Sequence, residues 1–352
     1  MMNRTDRKAD RHTDRHLAAL ALIAATAAPS AFAQGSVQIF GTVDGGVRHL
    51  THVNSAGDSK TMMGSNGWNS SNKLDFGGKE DLGGGLDAHF LLEQGFNLAT
   101  GALDNTTNTM FQRQSFVGLK GGWGSLDLGR QYTISHDFIL DYDPFHFNYT
   151  PLIPLTQASS GTRFSNDVKY VGEFGRFKFE LENSFGEVAG SNSHGSTHGV
   201  GLQYYGEGLT AGGSYNRRNV LVGTTYRNED YYLVGAAFKR GDWAISGGYM
   251  IDTIDLQGTA PNTVTRNAFG GASYSVSAQI KLTAGFYRTT STTDKARGKD
   301  MTIAGLDYLL SKRTKLYVEL DRTKYKATVV STLNAAGTSN QVGYTWGVNH
   351  RF

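Results

Sequence analysis

The sequence predicts an all-β fold, a 16-stranded antiparallel transmembrane β-barrel, from three observations. Apolar and polar residues alternate over most of the chain, proline is nearly missing from the alternating stretches, and a short basic-then-apolar segment opens the sequence.

The opening segment comes first in the chain. Arg4, Arg7, Lys8, Arg11 and Arg15 precede the apolar stretch Leu17 to Ala28, followed by Ala31-Phe32-Ala33. Twelve apolar residues fall short of the ~20 that a membrane-spanning helix needs. The small residues at 31 and 33 suit a processing site, so residues 1–33 are expected to be a signal peptide cleaved before Gln34, with 34–352 forming one barrel domain. Cleavage removes five bases and three acids, so the formal charge falls from +3 to +1 and no nucleic-acid partner is implied. With no cysteine, neither a disulfide framework nor a thiolate metal site is available.

The mean hydropathy of −0.37 would ordinarily point to a soluble chain. A barrel escapes that inference because only alternate residues face lipid. Val342, Tyr344, Trp346, Val348, His350 and Phe352 alternate with a polar or glycine set, and Leu316, Val318 and Leu320 alternate with Lys315, Glu319 and Asp321. The same pattern occurs at Ile280, Leu282, Ala284 and Phe286, and at Val37, Ile39, Val43 and Val47. Proline cannot donate to a strand ladder. After Pro29, prolines occur only at 144, 151, 154 and 261, in two segments that read as loops.

Glycine-rich or polar turns at 81–84, 120–124, 206–208, 239–242 and 311–314 divide the pattern. Strands are expected near 35–49, 72–81, 85–96, 110–120, 124–131, 163–173, 176–186, 197–206, 208–217, 230–239, 242–252, 265–276, 278–289, 300–310, 314–325 and 340–352. In the tenth, twelfth and fourteenth of these, apolar residues occupy both faces, as with Met301 and Ile303 beside Ala304 and Leu306. An even count, with short turns on one side and longer loops on the other, matches an outer-membrane barrel whose chain ends lie on the periplasmic side. Ten residues at about 3.3 Å each, tilted by roughly 40°, span on the order of 25 Å, the height of the apolar band in such barrels. A barrel this wide cannot be filled by its side chains and is expected to hold water.

Several local phrases carry a resemblance. They are Val37-Gln-Ile-Phe-Gly-Thr-Val-Asp44, Gly78-Lys-Glu-Asp-Leu-Gly-Gly-Gly-Leu86, Phe111-Gln-Arg-Gln-Ser-Phe-Val-Gly-Leu119, Leu128-Gly-Arg-Gln-Tyr132, Leu310-Ser-Lys-Arg-Thr-Lys-Leu-Tyr317 and the terminal Phe352. In this order, they resemble the general diffusion porins of Gram-negative bacteria, particularly the trimeric porins of β-proteobacteria. The resemblance implies a homotrimer in the outer membrane, in contact with its lipid and lipopolysaccharide, that passes ions and small hydrophilic solutes. It also implies that Phe352 is part of the signal read by the barrel-assembly machinery; its position alone fits a girdle aromatic equally well.

The stretch from Gln131 to Thr162 is far longer than a hairpin loop and carries His136, Asp137, Asp141, Asp143 and His146. Loop physics alone allows an exposed surface loop there. The resemblance implies instead a third loop folded into the barrel to narrow the lumen, facing a ladder of bases at Lys73, Arg113 and Arg163. Lys73 sits in Asn-Lys-Leu-Asp-Phe, where relatives carry two arginines four residues apart; Gly77 takes the second position, weakening the basic set. Asp141 and Asp143 are the candidates for the acidic side of the constriction, with Thr42 and Asp44 pointing inward from the first strand.

Two other classes remain open at this point. An enzyme barrel would need a nucleophile, base and orienting acid, and no such motif surrounds the eight histidines beyond residue 33. His194 and His198, with His136 or His146, have only weak metal-site spacing, so neither a metal nor a cofactor is implied. A solute-specific channel would use aromatic stacking, but Tyr204 and Tyr205, like Tyr231 and Tyr232, are neighbours that must point to opposite faces.

Overall fold

A computed structural model describes residues 35–54, 56–64, 67–149, 161–256, 261–293, 298–326 and 340–352. The expected signal segment, Pro151 and Pro154 lie outside the described residues.

Alternation becomes strand structure nearly everywhere it was expected. In chain order the strands are β1 (Ser36–Leu50), β2 (Lys60–Met63), β3 (Lys73–Asp81), β4 (Asp87–Gly95), β5 (Gln114–Gly121), β6 (Gly124–Tyr132), β7 (Arg163–Phe174), β8 (Phe177–Ser184) and β9 (Thr197–Tyr205). They continue with β10 (Leu209–Val222), β11 (Thr225–Arg240), β12 (Trp243–Ile254), β13 (Thr263–Ser275), β14 (Ile280–Ser291), β15 (Lys299–Leu309), β16 (Thr314–Tyr325) and β17 (Asn340–Arg351). Each stave of the wall pairs antiparallel with its chain neighbours, and β1 closes the ring against β17. The short β2 lies on the upper part of β1, from Val47 to Leu50, while β3 holds β1 from Ser36 to Thr42. Without β2, the wall is a closed 16-stranded barrel. Closure leaves no unpaired edge, which a chain in lipid requires because no water is there to satisfy free backbone groups.

The two faces of the wall differ as the alternation demands. On β16, Leu316, Val318 and Leu320 are 43%, 56% and 49% exposed, whereas Tyr317, Glu319 and Asp321 between them are covered. The first set faces lipid, the second the interior. Tyr231 and Tyr232 divide likewise, one fully buried and the other exposed.

Three features depart from the sequence expectation. The ninth and tenth staves continue their ladder to Val222↔Thr225 around a turn at Gly223, where a long loop over 218–229 was expected. The polar composition of Arg217-Arg218-Asn219 and Arg227-Asn228-Glu229 conceals this extension, because these residues lie beyond the apolar band. The strand β2 was not anticipated, and neither was a helix, α1 (Ile134–Tyr142), in the third loop.

Candidate permeation site

The third loop starts at a local irregularity in the wall. Between Gly129 and Gln131 the β6–β7 register shifts by a bulge, and Gly129 has φ +143, a backbone that side chains rarely adopt, with no room for a β-carbon beside the Ser115 carbonyl oxygen. The bulge turns the chain away from the ladder into Thr133, whose hydroxyl caps α1 by accepting from the His136 amide at 3.2 Å. The Ile134 amide donates to Glu182 at 3.2 Å, and the Ser135 hydroxyl donates to Asn216 at 2.7 Å. Asp137 pairs with Lys169. Burial opposes its ionisation, but the ammonium beside it holds the carboxyl below the usual range, while burial pushes the imidazole of His136 down.

The helix and the residues after it pack on the wall face opposite the apolar one. Ile134 and Phe138 sit on Gly201, where a β-carbon would meet Ile134 at 2.5 Å, and the Tyr142 ring covers Gly235. Pro144 meets Gly271, and Phe145 meets Gly285 and Gly305. Glycine is needed in these strands because the loop side chains and rings approach so closely. Around these contacts Leu233, Met250, Phe269, Met301 and Ile303 form the apolar core of the molecule with the loop aromatics. These are the second-face apolar residues noted in the tenth, twelfth and fourteenth expected strands, together with Met250 of β12. They mark where the loop docks.

A second segment joins it. Trp68 and Asn69 donate their amides to Asp44 at 2.8 and 3.2 Å, and the same carboxylate accepts from Tyr317 at 2.9 Å and Asn349 at 3.0 Å. The Tyr149 amide then donates to the Asn69 carbonyl at 2.8 Å. The first and third loops therefore meet in a continuous hydrogen-bonded belt that ends on β1.

The expected basic residues are brought together on the other side of the ring. Lys73 pairs with Glu93 at 2.6 Å and Asp75 at 3.3 Å. Arg113 pairs with the same Glu93 at 2.6 Å, with Asp104 at 3.5 Å, and donates to the Tyr132 hydroxyl at 3.0 Å. Arg163 donates to that hydroxyl at 2.7 Å and lies 4.3 Å over the Tyr132 ring, which stacks on His136. Sequence reasoning missed Glu93 and Tyr132, the two groups that hold the three cations. Their only signal was an acid on the polar face of β4 and a tyrosine at the end of the Leu128 phrase.

The expected acids are arranged differently. Asp143 is fully buried and accepts from the Phe147 amide at 2.8 Å and from the Tyr287 hydroxyl, so it fastens the loop to β14 instead of presenting charge to water. Burial pushes its carboxyl up to about 6, against the pull of those hydrogen bonds. Asp44 is equally buried and holds the first loop, and Thr42, opposite Lys73 in register, is nearly covered. Asp141 is partly exposed and accepts from Gln203 at 2.8 Å and Tyr205 at 3.1 Å. The edge of the loop that meets solvent is instead Leu140 and His146, with Phe147 half-buried beside them. Phe352 is exposed at the closing seam, where its backbone pairs with Gly41. His194 stacks on Tyr226, and no group of three potential metal ligands occurs among the described residues.

Comparison with known proteins agrees with this architecture. The model of the Gram-negative porin family matches residues 18–328. Outer membrane porin protein 32 of Delftia acidovorans is 30% identical, across 96% of this chain and 99% of that protein. Major outer membrane protein P.IB of Neisseria meningitidis serogroup B is 28% identical, across 90% and 97%. Among solved structures, an anion-selective porin from Comamonas acidovorans superposes with a TM-score of 0.79 at 27% identity, over 91% of this chain and all of that one. The chain belongs to the Gram-negative porin family and is an outer-membrane diffusion porin.

Proposed function

We propose that ions and small hydrophilic solutes cross this barrel passively through a water-filled lumen that the third loop, folded inward, narrows against the cluster of Lys73, Arg113 and Arg163. The division of the polar face carries the reading. Residues 134–149 cover it from β9 to β16, whereas the basic cluster belongs to the sector from β3 to β7 across the ring. Solutes pass between that cluster and the loop edge of Leu140, His146 and Phe147. Size exclusion comes from the loop, and charge preference from the cluster. Asp141 supplies the acidic side of the loop, Asp44 and Asp143 act by holding their segments in place, and Thr42 lines the wall beside Lys73.

Three cations in this cluster lie against three carboxylates, Asp75, Glu93 and Asp104. Such pairing leaves little net charge at the narrow point, so anion preference is weaker than an uncompensated basic ladder would give. The chain works as a homotrimer after its signal peptide is cut before Gln34, with Phe352 offered to the barrel-assembly machinery; these parts rest on the family resemblance. No catalytic step and no cofactor belong to the reading.

Planar-bilayer recording of refolded protein tests it. Replacing both Arg113 and Arg163 by Ala is expected to raise single-channel conductance and move the reversal potential towards cations. Unchanged conductance and reversal potential would show that the constriction lies elsewhere. Saturable block by one sugar or anion would mark a solute-specific channel instead.

A further inference from the structure

Beneath the docked end of the third loop, on the side of the short turns, the wall becomes polar again. Read from the turn upwards, the inward residues of β14 are Lys281, Thr283, Gly285 and Tyr287, and those opposite them on β15 are Asp307, Gly305, Ile303 and Met301. The upper positions receive Phe145 and the apolar core. The lower ones, together with Asn148 and Tyr149 of the loop, line a recess of about 270 Å³ that is partly open to the lumen.

The strongest donor of this recess is uncommitted. Asp307, opposite Lys281 in register, turns instead to Lys315 at 2.9 Å, and among the described residues no carboxylate lies within ion-pair distance of the half-buried Lys281 ammonium. In the constriction, by contrast, Lys73 and Arg113 share Glu93.

A second donor is buried and fixed. Tyr149 is 2% exposed, its ring meets Phe145 and Tyr317 edge to face, and its amide is bonded to Asn69. Its hydroxyl reaches the wall beside Gly305, 3.6 Å from where a β-carbon would stand, and has no hydrogen-bond partner among the described residues. A buried hydroxyl in that position is costly unless an acceptor meets it. The Thr283 hydroxyl and the Asn148 amide border the same space, so donors outnumber acceptors there.

We propose that this recess binds the carboxylate group of a small monoanionic solute, with the Lys281 ammonium and the Tyr149 hydroxyl donating to its oxygens. The nearest charges, Lys281, Lys315 and Asp307, leave one positive charge, to which Lys239 of β11 adds more weakly. One negative charge matches this set, whereas a doubly charged phosphate would be pressed against Asp307. The ammonium supplies the strong, charge-assisted contact, and the remainder of the solute stays in the lumen. The site rests on the permeation path proposed above and deepens it, giving a carboxylate a resting place on the turn side of the narrow point, separate from Lys73, Arg113 and Arg163.

The chain has no cysteine, so Thr283→Cys gives the refolded barrel a single thiol in the recess. Its modification by iodoacetamide, an uncharged reagent, is expected to be slowed saturably by sodium acetate but not by sodium chloride at equal ionic strength. Adding Lys281→Gln is expected to raise the acetate concentration required by roughly tenfold, as loss of a charge-assisted hydrogen bond implies. Lys281→Arg, which keeps the cation, is expected to restore most of the protection. The requirement is expected to follow Lys281 and not Arg113, tested as Arg113→Ala. Heat-modifiable gel mobility checks that each variant is folded. The reaction is read in detergent without transport, so its failure leaves the bilayer test of the constriction standing. No slowing by acetate, or equal slowing by chloride, overturns the proposal. So does an unchanged requirement in Lys281→Gln, and so does one that follows Arg113, which places the anion at the constriction. Equal protection by inorganic phosphate overturns the assignment to a carboxylate.

Discussion

The polar faces of the two halves of this barrel are built by opposite means. From β9 to β16 a strip of inward glycines and apolar side chains, set among polar ones, receives a helix and a row of aromatic rings. From β3 to β7 inward charged groups are cross-linked along the wall by Glu93, Asp104 and Tyr132. Apolar packing carries the loop, with hydrogen bonds at Ile134, Ser135 and Asp143 fixing its position, whereas ion pairs within the wall hold side chains upright in water. In the proposed reading, one half fixes the size of the passage, and the other its charge.

Breaking the packed half should have the largest effect. Gly235→Val puts a side chain where the Tyr142 ring lies, and overpacking of this kind costs about 1–3 kcal/mol. The loop is expected to leave its seat, with higher conductance and passage of larger polyethylene glycols, while the barrel keeps its gel mobility. Unchanged conductance in a folded Gly235→Val protein would mean that the loop does not set the aperture.

The belt between the two loops comes next. Asp44→Ala removes the acceptor of four donors, two of them amides of the first loop, and each buried donor left unsatisfied costs about 1–3 kcal/mol. Because Tyr149 hangs on Asn69, the open-channel current is expected to become noisier, reporting a loosened third loop. A quiet channel in Asp44→Ala would restrict the role of that aspartate to the first loop.

The charged half gives a smaller, more specific response. Glu93→Gln frees Lys73 and Arg113 from their shared carboxylate, and the reversal potential in a salt gradient is expected to move towards chloride at nearly constant conductance. No movement would mean that the pairing does not govern selectivity.

The two halves were also unequally legible from sequence. Alternation exposed the wall because its period is local: Leu316, Val318 and Leu320 need no knowledge of their partners. Phrases shared with a known family located Lys73, Arg113 and Arg163, but the carboxylates that offset their charge lie up to 20 residues away and obey no period. The bonding of Asp44 and Asp143 was hidden for the same reason. An inward carboxylate reads as a pore charge until Tyr317, 273 residues on from Asp44, or Tyr287, 144 on from Asp143, is seen bonded to it. The docking strip did leave a trace, since Met301 and Ile303 are apolar where a water-facing wall has no use for them. Nine residues of α1, with their polar interruptions, left none.

The smallest effect is one of pH, and it separates the two halves cleanly. Asp143 belongs to the docked loop, and burial raises its carboxyl from 3.8 to about 6. A raised acid binds its proton more tightly when docked than when free, so docking pays a cost for ionisation that is full above pH 6. The cost shrinks as pH falls through 6 and is gone below 3.8. Current noise is therefore expected to decrease on acidification from pH 7 to 5. Replacing Asp143 by Asn, which keeps the shape and removes the titration, should leave the loop as quiet at pH 7 as the native channel is at pH 5. Glu93→Gln should retain the native pH response of the noise, because its carboxylate acts on the charge of the passage and not on the seating of the loop. If Asp143→Asn keeps the full pH dependence, the proton is taken up elsewhere and the loop is not held by this group.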